Sequence, residues 1–398
     1  MSAENIEVTP RALHSFFNDD GTVLGHLVID SSINGVSGGG IRMVPEMVSA
    51  DLCHLARAMT LKYGFLKWPF GGAKAAILTH RDSLASEERR RYAHSFAEQL
   101  RPFVGHYLPG EDAGTNDDDL RLICKTAGLM RQRSIPDSGY FTALTVRICT
   151  ERVAAQQKIS LEDCRVAIEG FGKVGGSLAK QLSERGCRIV AVSTDRGAVY
   201  DAKGLDVDCL LRARETAGSD CVSLYQDADR IDTTELLTVP TDFLIPCALS
   251  WSINTSNARD IQARAIICGA NNPVTEKARD ILRDRDILYF PDFVANSGGV
   301  LGSIVGSLGL PRTRVVEMMH QVFAPKVEDL MTQAQTTDQP LEATARRIAT
   351  ANHETMKQTA ERRRHGLFSG IIKVARRGLM PTPLKRMFGP IYIRKTMA

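Results

Sequence analysis

Arg165–Glu169 is a run of strand formers, and Gly170-Phe171-Gly172-Lys173-Val174-Gly175 follows it without a break. Residues 177–185 then carry helical spacing, Gly186 stops them, and residues 188–193 form a second apolar strand. A lone G-x-G-x-x-G is a weak signal. Between a strand and a helix, in a βαβ unit of about thirty residues, it has the context it requires. The glycines allow a tight turn and close approach to a pyrophosphate, and the helix N-terminus offers unpaired N–H groups and a positive dipole end. Dinucleotide binding by Gly170, Gly172, Lys173, Val174 and Gly175 follows. Asp195 lies about twenty residues further on, where an acid takes the ribose hydroxyls of NAD. Thr194 and Arg196 flank it and suit a 2′-phosphate, so NAD is favoured, with NADP as the alternative.

A chain of 398 residues exceeds one ordinary core, so two domains are expected. The net charge of +4 is too small to argue a nucleic-acid partner. The nine cysteines are odd in number, scattered through apolar segments and lack any C-x-x-C pair, which points to neither a disulfide framework nor a metal site. No basic-then-apolar leader opens the sequence and no apolar run is long enough to span a bilayer. A cytoplasmic, reducing setting is the expectation.

In the first half, Leu52, Leu55, Ala56, Met59 and Leu61 are spaced for an amphipathic helix that carries Lys62. Pro69 and an expected Gly71-Gly72 turn lead to Lys74. A lysine over such a turn, partly desolvated and near a second cation, loses basicity and can serve as a base. Residues 34–42 read as a glycine-rich loop. Gly35-Val36-Ser37-Gly38-Gly39 also fits a serine-hydrolase elbow, but no helix begins where that elbow needs one. Close approach of backbone to a small ligand is the better reading. Residues 108–117 read as a turn-rich loop holding Asp112, with Asn116 or Asp117 capping a helix.

Together these segments resemble the glutamate/leucine/phenylalanine/valine dehydrogenase family of amino-acid dehydrogenases. The resemblance runs from about residue 20 to 305. It rests on Gly39-Gly40-Ile41-Arg42, Met59-Thr60-Leu61-Lys62, Pro69-Phe70-Gly71-Gly72-Ala73-Lys74, Glu111-Asp112-Ala113-Gly114-Thr115, Thr142-Ala143 and the glycine fingerprint. Ile245-Pro246-Cys247-Ala248-Leu249, Gly269-Ala270-Asn271-Asn272-Pro273 and residues 291–300 complete it. It implies an α/β chain of two domains. An N-terminal α/β substrate domain (1–136) precedes a Rossmann-type dinucleotide-binding domain (137–310), and C-terminal helices (311–398) return to the first domain.

By the same resemblance Lys62 would hold the substrate α-carboxylate, Lys74 would be the catalytic lysine and Asp112 would move protons at the amino nitrogen. Thr142 would contact the nicotinamide carboxamide, and Asn272 and Asn296 would lie near the nicotinamide ribose and the substrate. The implied reaction is reversible oxidative deamination of an L-amino acid to a 2-oxo acid and ammonia, by a homo-oligomer. The residue types suit it: a cation for the carboxylate, a base for water and an acid/base for the leaving ammonia.

Three departures qualify the resemblance. Glutamate-specific members have a lysine immediately before Gly-Gly; here Gly38 precedes Gly39, as in members acting on apolar amino acids. A buried side-chain carboxylate would then lack a partner, so a neutral amino acid is expected. Ser303, conversely, stands where the glutamate type keeps a serine. Cys268 replaces an acid before Gly-Ala-Asn. The rival class, a catalytically inactive member binding nucleotide or amino acid as a regulatory subunit, is weakened by the joint presence of Lys62, Lys74 and Asp112. Beyond the resemblance, residues 361–398 form a basic amphipathic tail. Docking on its own core or on a neighbouring subunit is preferred over a seat on an acidic membrane or partner.

Overall fold

The computed structural model describes residues 7–81, 84–130, 138–362 and 382–397. Its contacts divide the chain into two compact units. One holds Glu7–Pro136, Ser303–Arg312 and Arg346–Ala398, the other Asp137–Gly302 and Thr313–Ala345.

The first unit is built on a sheet of β1 (Ala12–Phe17), β2 (Val23–Ile29), β3 (Ser37–Val44), β4 (Gly71–Leu78) and β5 (Tyr107–Glu111), with helices α1 (Ser49–Phe65), α2 (Ser86–Gln99) and α3 (Asp117–Ala127). The strand order is β1-β2-β4-β3-β5. The pairs β1–β2 and β2–β4 are antiparallel, while β3 runs parallel to both β4 and β5. Side chains alternate across a strand, and β4 shows the consequence. Ala73, Ala75 and Ile77 enter a core with Phe16, Phe96 and Leu120. Ala76 and Leu78 face the other way, into a cluster with Leu52 and Leu55 of α1. Lys74 shares that second parity, so the alternation directs it to the α1 face. Helix α3 opens on a reciprocal capping box between Asn116 and Asp119 and ends at Gly128 in the left-handed region, so of the two expected caps it is Asn116 that serves.

Three expectations need correction here. The glycine-rich segment is strand β3, not a loop, and Gly71-Gly72 opens strand β4 rather than forming a turn. Ladder hydrogen bonds to neighbours on both sides offset the entropic cost of glycine in a strand. A β-carbon at Gly39 would overlap the Ala73 carbonyl oxygen. Likewise Asp112 follows strand β5 directly, where a loop was expected. Ser37 is buried in β3 and its hydroxyl donates to the Ser31 carbonyl at 2.7 Å, which excludes the hydrolase elbow.

The second unit begins with α4 (Ser138–Gln156), β6 (Arg165–Glu169), α5 (Lys173–Ser183), β7 (Arg188–Thr194), β8 (Gly197–Tyr200) and α6 (Val207–Ala217). The short α7 (Cys221–Leu224), β9 (Asp229–Ile231), α8 (Thr233–Leu236), β10 (Phe243–Pro246), β11 (Ala265–Ile267), α9 (Glu276–Asp284) and β12 (Leu288–Phe290) follow. Then come α10 (Asp292–Ala295), α11 (Gly298–Gly306), α12 (Arg312–Thr337) and α13 (Leu341–Arg362). The seven strands lie in the order β12-β11-β10-β6-β7-β8-β9. Strands β12, β11, β10, β6 and β7 are parallel, with β8 and β9 added antiparallel at one edge. The chain leaves β6 towards β7 on one side and returns through β10 on the other, so the order reverses at β6. That is where open parallel sheets bind nucleotides. The fingerprint helix α5 starts at Lys173, four residues earlier than the spacing suggested.

The chain returns to the first unit for Ser303–Arg312, leaves it for most of α12, and re-enters it within α13 at Arg346. In α14 (Thr382–Met397) the Tyr392 ring meets Trp68 edge-on at 6.3 Å between centroids, and Arg386 Nε donates to the Gly309 carbonyl at 3.0 Å. Part of the basic tail, residues 363–381, lies outside the described residues. No helix among the described residues is long and apolar enough to cross a membrane.

Candidate active site

Lys74 and Asp112 meet in the first unit, with Nζ 2.6 Å from Oδ2. Strand β4 supplies the lysine and the end of β5 the acid. Arg42, from β3 between them, donates through Nε to the same Oδ2 at 2.8 Å. Lys74 is only 4% exposed. Burial lowers its ammonium below the ordinary lysine value. Asp112 opposes that shift and the Arg42 guanidinium adds to it. Burial pushes the Asp112 carboxyl upward, but Lys74 and then Arg42 outweigh it and hold it well below the usual carboxylate range. The result is a buried amine of reduced basicity on an ionised carboxylate, a pair suited to moving a proton.

Lys62 is also buried, near the end of α1. Helix α1 lies close against β4 because Gly72 has no side chain; a β-carbon there would overlap the Thr60 amide nitrogen. At Gly38, a β-carbon would stand 2.5 Å from the Tyr63 hydroxyl. Tyr63 is 5% exposed and its hydroxyl is kept protonated by burial. The place where a longer residue 38 would begin is thus occupied by a neutral phenol. Gly39 offers its carbonyl to the Tyr107 hydroxyl at 2.8 Å. Ser303 lies half-buried on α11.

In the second unit, Gly170 adopts a φ of 90°, and a β-carbon on it would press on Ala248 after β10. Its amide donates to the Ser193 hydroxyl at 2.9 Å. A β-carbon on Gly175 would overlap the Gly170 carbonyl, whereas Gly172 borders open space. Gly172 caps α5, so Lys173, Val174 and Gly175 form its first turn, with amides facing outward. Arg214 of α6 braces this loop, donating to the carbonyls of Gly172 at 2.7 Å and Phe171 at 3.2 Å.

At the end of β7 the Thr194 hydroxyl donates to the Ser219 carbonyl at 2.8 Å and accepts from the Arg196 amide at 3.1 Å. Asp195 is exposed, and a hydrogen bond from Ser219 holds its carboxyl below the ordinary value. Thr142 of α4 returns its hydroxyl to the Ser138 carbonyl at 3.0 Å.

Two asparagines carry unsatisfied groups. Asn272 receives support through its amide, which donates to Asp292 Oδ2 at 2.9 Å, but its buried Nδ2 has no partner. Asn296 Nδ2 donates to the Ala270 carbonyl at 2.8 Å, while its buried Oδ1 has none. A buried orphan donor and a buried orphan acceptor are costly unless a ligand completes them. With the open space at Gly172, they fit a nicotinamide dinucleotide.

Residues 135–366 match the family described as Glutamate/Leucine/Phenylalanine/Valine dehydrogenase, and residues 13–128 match Glu/Leu/Phe/Val dehydrogenase, dimerisation domain. The chain belongs to this family. Among curated relatives, the NAD-specific glutamate dehydrogenase of Staphylococcus aureus is 33% identical over 301 residues, which cover 71% of this chain and 72% of that protein. Among solved structures, the hetero-hexameric glutamate dehydrogenase of Thermus thermophilus, in a leucine-bound form, superposes with a TM-score of 0.76 at 25% identity, over 89% of this chain and 90% of that one. The L-tryptophan dehydrogenase of Nostoc punctiforme shares the fold, with a TM-score of 0.62 at 22% identity over 87% and 97% of the two chains. Family membership makes this chain an NAD(P)-dependent amino-acid dehydrogenase.

Sequence reasoning placed no role on Arg42, Tyr63 or Arg214. Arg42 stood inside a quoted segment, yet nothing local showed that β3 and β5 would bring it to Asp112. Cys268, the unexplained departure, is fully buried in the apolar core beneath β11, where burial pushes its thiol well up. A small uncharged side chain suits that position, and an acid would be buried there.

Proposed function

We infer that the chain oxidises a neutral L-amino acid to its 2-oxo acid and ammonia with NAD. The observation that carries this is the buried Lys74–Asp112 pair beside a Gly38 position closed by Tyr63. Lys62 neutralises the substrate α-carboxylate. NAD supplies the acceptor for the hydride leaving the α-carbon. Lys74, in its neutral form, takes a proton from the water that adds to the iminium carbon. Asp112 carries protons to and from the amino nitrogen, so ammonia departs as the carbonyl forms. The sum is amino acid, NAD⁺ and water giving 2-oxo acid, NADH, ammonium and one proton, which Lys74 passes to solvent.

Preference for a neutral side chain rests on residue 38. Neither Gly38 nor the phenol beside it supplies a cation, and a desolvated carboxylate without one costs several kcal/mol by order of magnitude. Glutamate is the second reading, favoured by the substrate in the names of the relatives and by Ser303. For the cofactor, the exposed Asp195 and the NAD-specific relatives support NAD, with NADP as the lesser substrate. Assembly into an oligomer of identical chains is supported by the sheet edge at β1, which exposes Leu13 and Phe17. The nine free cysteines support a cytoplasmic setting. The test is to supply a mixture of amino acids with NAD and identify which is consumed. One neutral amino acid disappearing in step with ammonia and NADH, and none with Lys74→Ala, supports the reading; loss of glutamate alone refutes the neutral pocket.

A further inference from the structure

A cavity of about 390 Å³ opens in the first unit, lined by the end of β2, by α1 and by the part of α13 that belongs to this unit. None of Lys62, Lys74 or Asp112 lines it, so it is separate from the catalytic constellation. Three basic side chains face it: Arg11, Arg57 and Lys357. Of the two acids, Asp30 is neutralised by Arg57, although its buried Oδ1 accepts no hydrogen bond among the described residues. Its Oδ2 accepts from the Thr60 hydroxyl at 2.5 Å, and Arg57 Nε stands 3.0 Å from its Oδ1. Glu354 is exposed.

The remaining cations are less committed. Arg11 Nη1 donates to the Ser32 hydroxyl at 3.0 Å, and Lys357 is in no ion pair among the described residues. Deeper in the wall, His353 of α13 is 5% exposed, and both of its ring nitrogens lack a hydrogen-bond partner. Burial lowers its basicity, so the ring is neutral, with one donor and one acceptor unmet. Two cations, lining hydroxyls and an imidazole that needs both an acceptor and a donor describe a complement. An oxyanion that carries a proton of its own fits it, as a hydrogen phosphate group does.

We propose that this cavity binds a phosphate group, free or as a small phosphomonoester, between Arg11, Lys357 and His353. Two hydrogen bonds join the wall of this site directly to strand β4. The Ser31 hydroxyl accepts from the Gly72 amide at 3.1 Å, and the Asp30 amide donates to the Gly72 carbonyl at 2.9 Å, two residues before Lys74. A bound phosphate would sit against the start of the strand that positions the catalytic amine.

The experiment titrates the full-length protein, saturated with NAD to cover its nucleotide unit, with inorganic phosphate, glycerol 3-phosphate and succinate. Heat of binding and the His353 ring nitrogen resonances are followed together. Saturable binding of phosphate or of glycerol 3-phosphate that moves the His353 signals supports the proposal, and the tighter of the two identifies the source. Lys357→Gln and Arg11→Gln, both outside the catalytic machinery, should each weaken it about tenfold, the loss of one charge-assisted hydrogen bond, with turnover in phosphate-free buffer unchanged. Succinate binding as tightly as phosphate would overturn the assignment. So would an unmoved His353 signal, or phosphate affinity unchanged in both variants. Because the readout is binding, a wrong amino-acid substrate leaves this test intact.

Discussion

Lys74 Nζ lies 2.6 Å from Asp112 Oδ2, and the same oxygen accepts from Arg42 Nε at 2.8 Å. One carboxylate oxygen thus ties the proposed catalytic amine to a permanent cation. Burial lowers Lys74, Asp112 raises it and Arg42 lowers it again. Because the base must be neutral, kcat/KM should climb with pH and level off below the ordinary lysine value. Lys74→Ala should cost about 10²–10⁴-fold in turnover, the usual worth of a positioned base. Arg42→Gln removes a lowering influence, so the rising limb should move to higher pH. An unmoved limb with activity simply reduced would make Arg42 structural only.

The contact between Gly38 and Tyr63 has an energetic signature. Gly38→Lys must displace the phenol and should cost about 1–3 kcal/mol of stability through overpacking. Tyr63→Ala alone should also destabilise, by leaving a void. The double variant should be less damaged than the sum of the two, because each relieves the other. Chemical denaturation of the four proteins measures that coupling, and strict additivity would mean the two positions do not compete for space.

Glu169, the last residue of β6, is pushed up to about 7 by burial, with the Ser252 hydroxyl opposing at 2.9 Å. A carboxyl raised in the folded state holds its proton more tightly than the unfolded chain does. Its contribution is therefore complete below its ordinary value of 4.5 and lost as pH rises to about 7. Glu169→Gln should remove this dependence and stabilise the protein above neutrality by up to about 3 kcal/mol. Melting temperatures of the two proteins across that range decide it; parallel curves would contradict the assignment.

At the other end of the fingerprint unit, the proposed preference for NAD rests on Asp195. Its side chain is exposed, and Arg196 Nε lies 3.9 Å from it and 3.7 Å from Asp220. Asp195→Ala should weaken NAD about tenfold, one charge-assisted hydrogen bond, and leave Arg196 free to favour NADP. Michaelis constants for the two cofactors test this, and an unchanged NAD constant would remove Asp195 from the site.

The fingerprint unit was legible because its physics is local. Strand β6 and the stop at Gly186 follow from neighbouring residues, and so does the capped start of α3. Strand β3 was not legible, since three consecutive glycines disfavour a strand on their own. Only pairing with β4 and β5, more than thirty residues away, overrides that. Separation along the chain likewise hid Arg42 at Asp112 and Tyr63 at Gly38. Lys62, Lys74 and Asp112 could be named because their surrounding segments resembled known ones; what surrounds each had to come from packing. The unmet amide groups of Asn272 and Asn296, like the unmet ring nitrogens of His353, exist only in three dimensions.

The most direct measurement is the ratio of kcat/KM for the best neutral amino acid to that for glutamate, with NAD and one preparation of protein. A pocket closed at Gly38 by a neutral phenol should give a ratio of at least about ten, since a carboxylate would be buried without a partner. Glutamate turning over faster than every neutral amino acid would contradict that pocket. Turnover on none of them would contradict the catalytic role given to the Lys74–Asp112 pair.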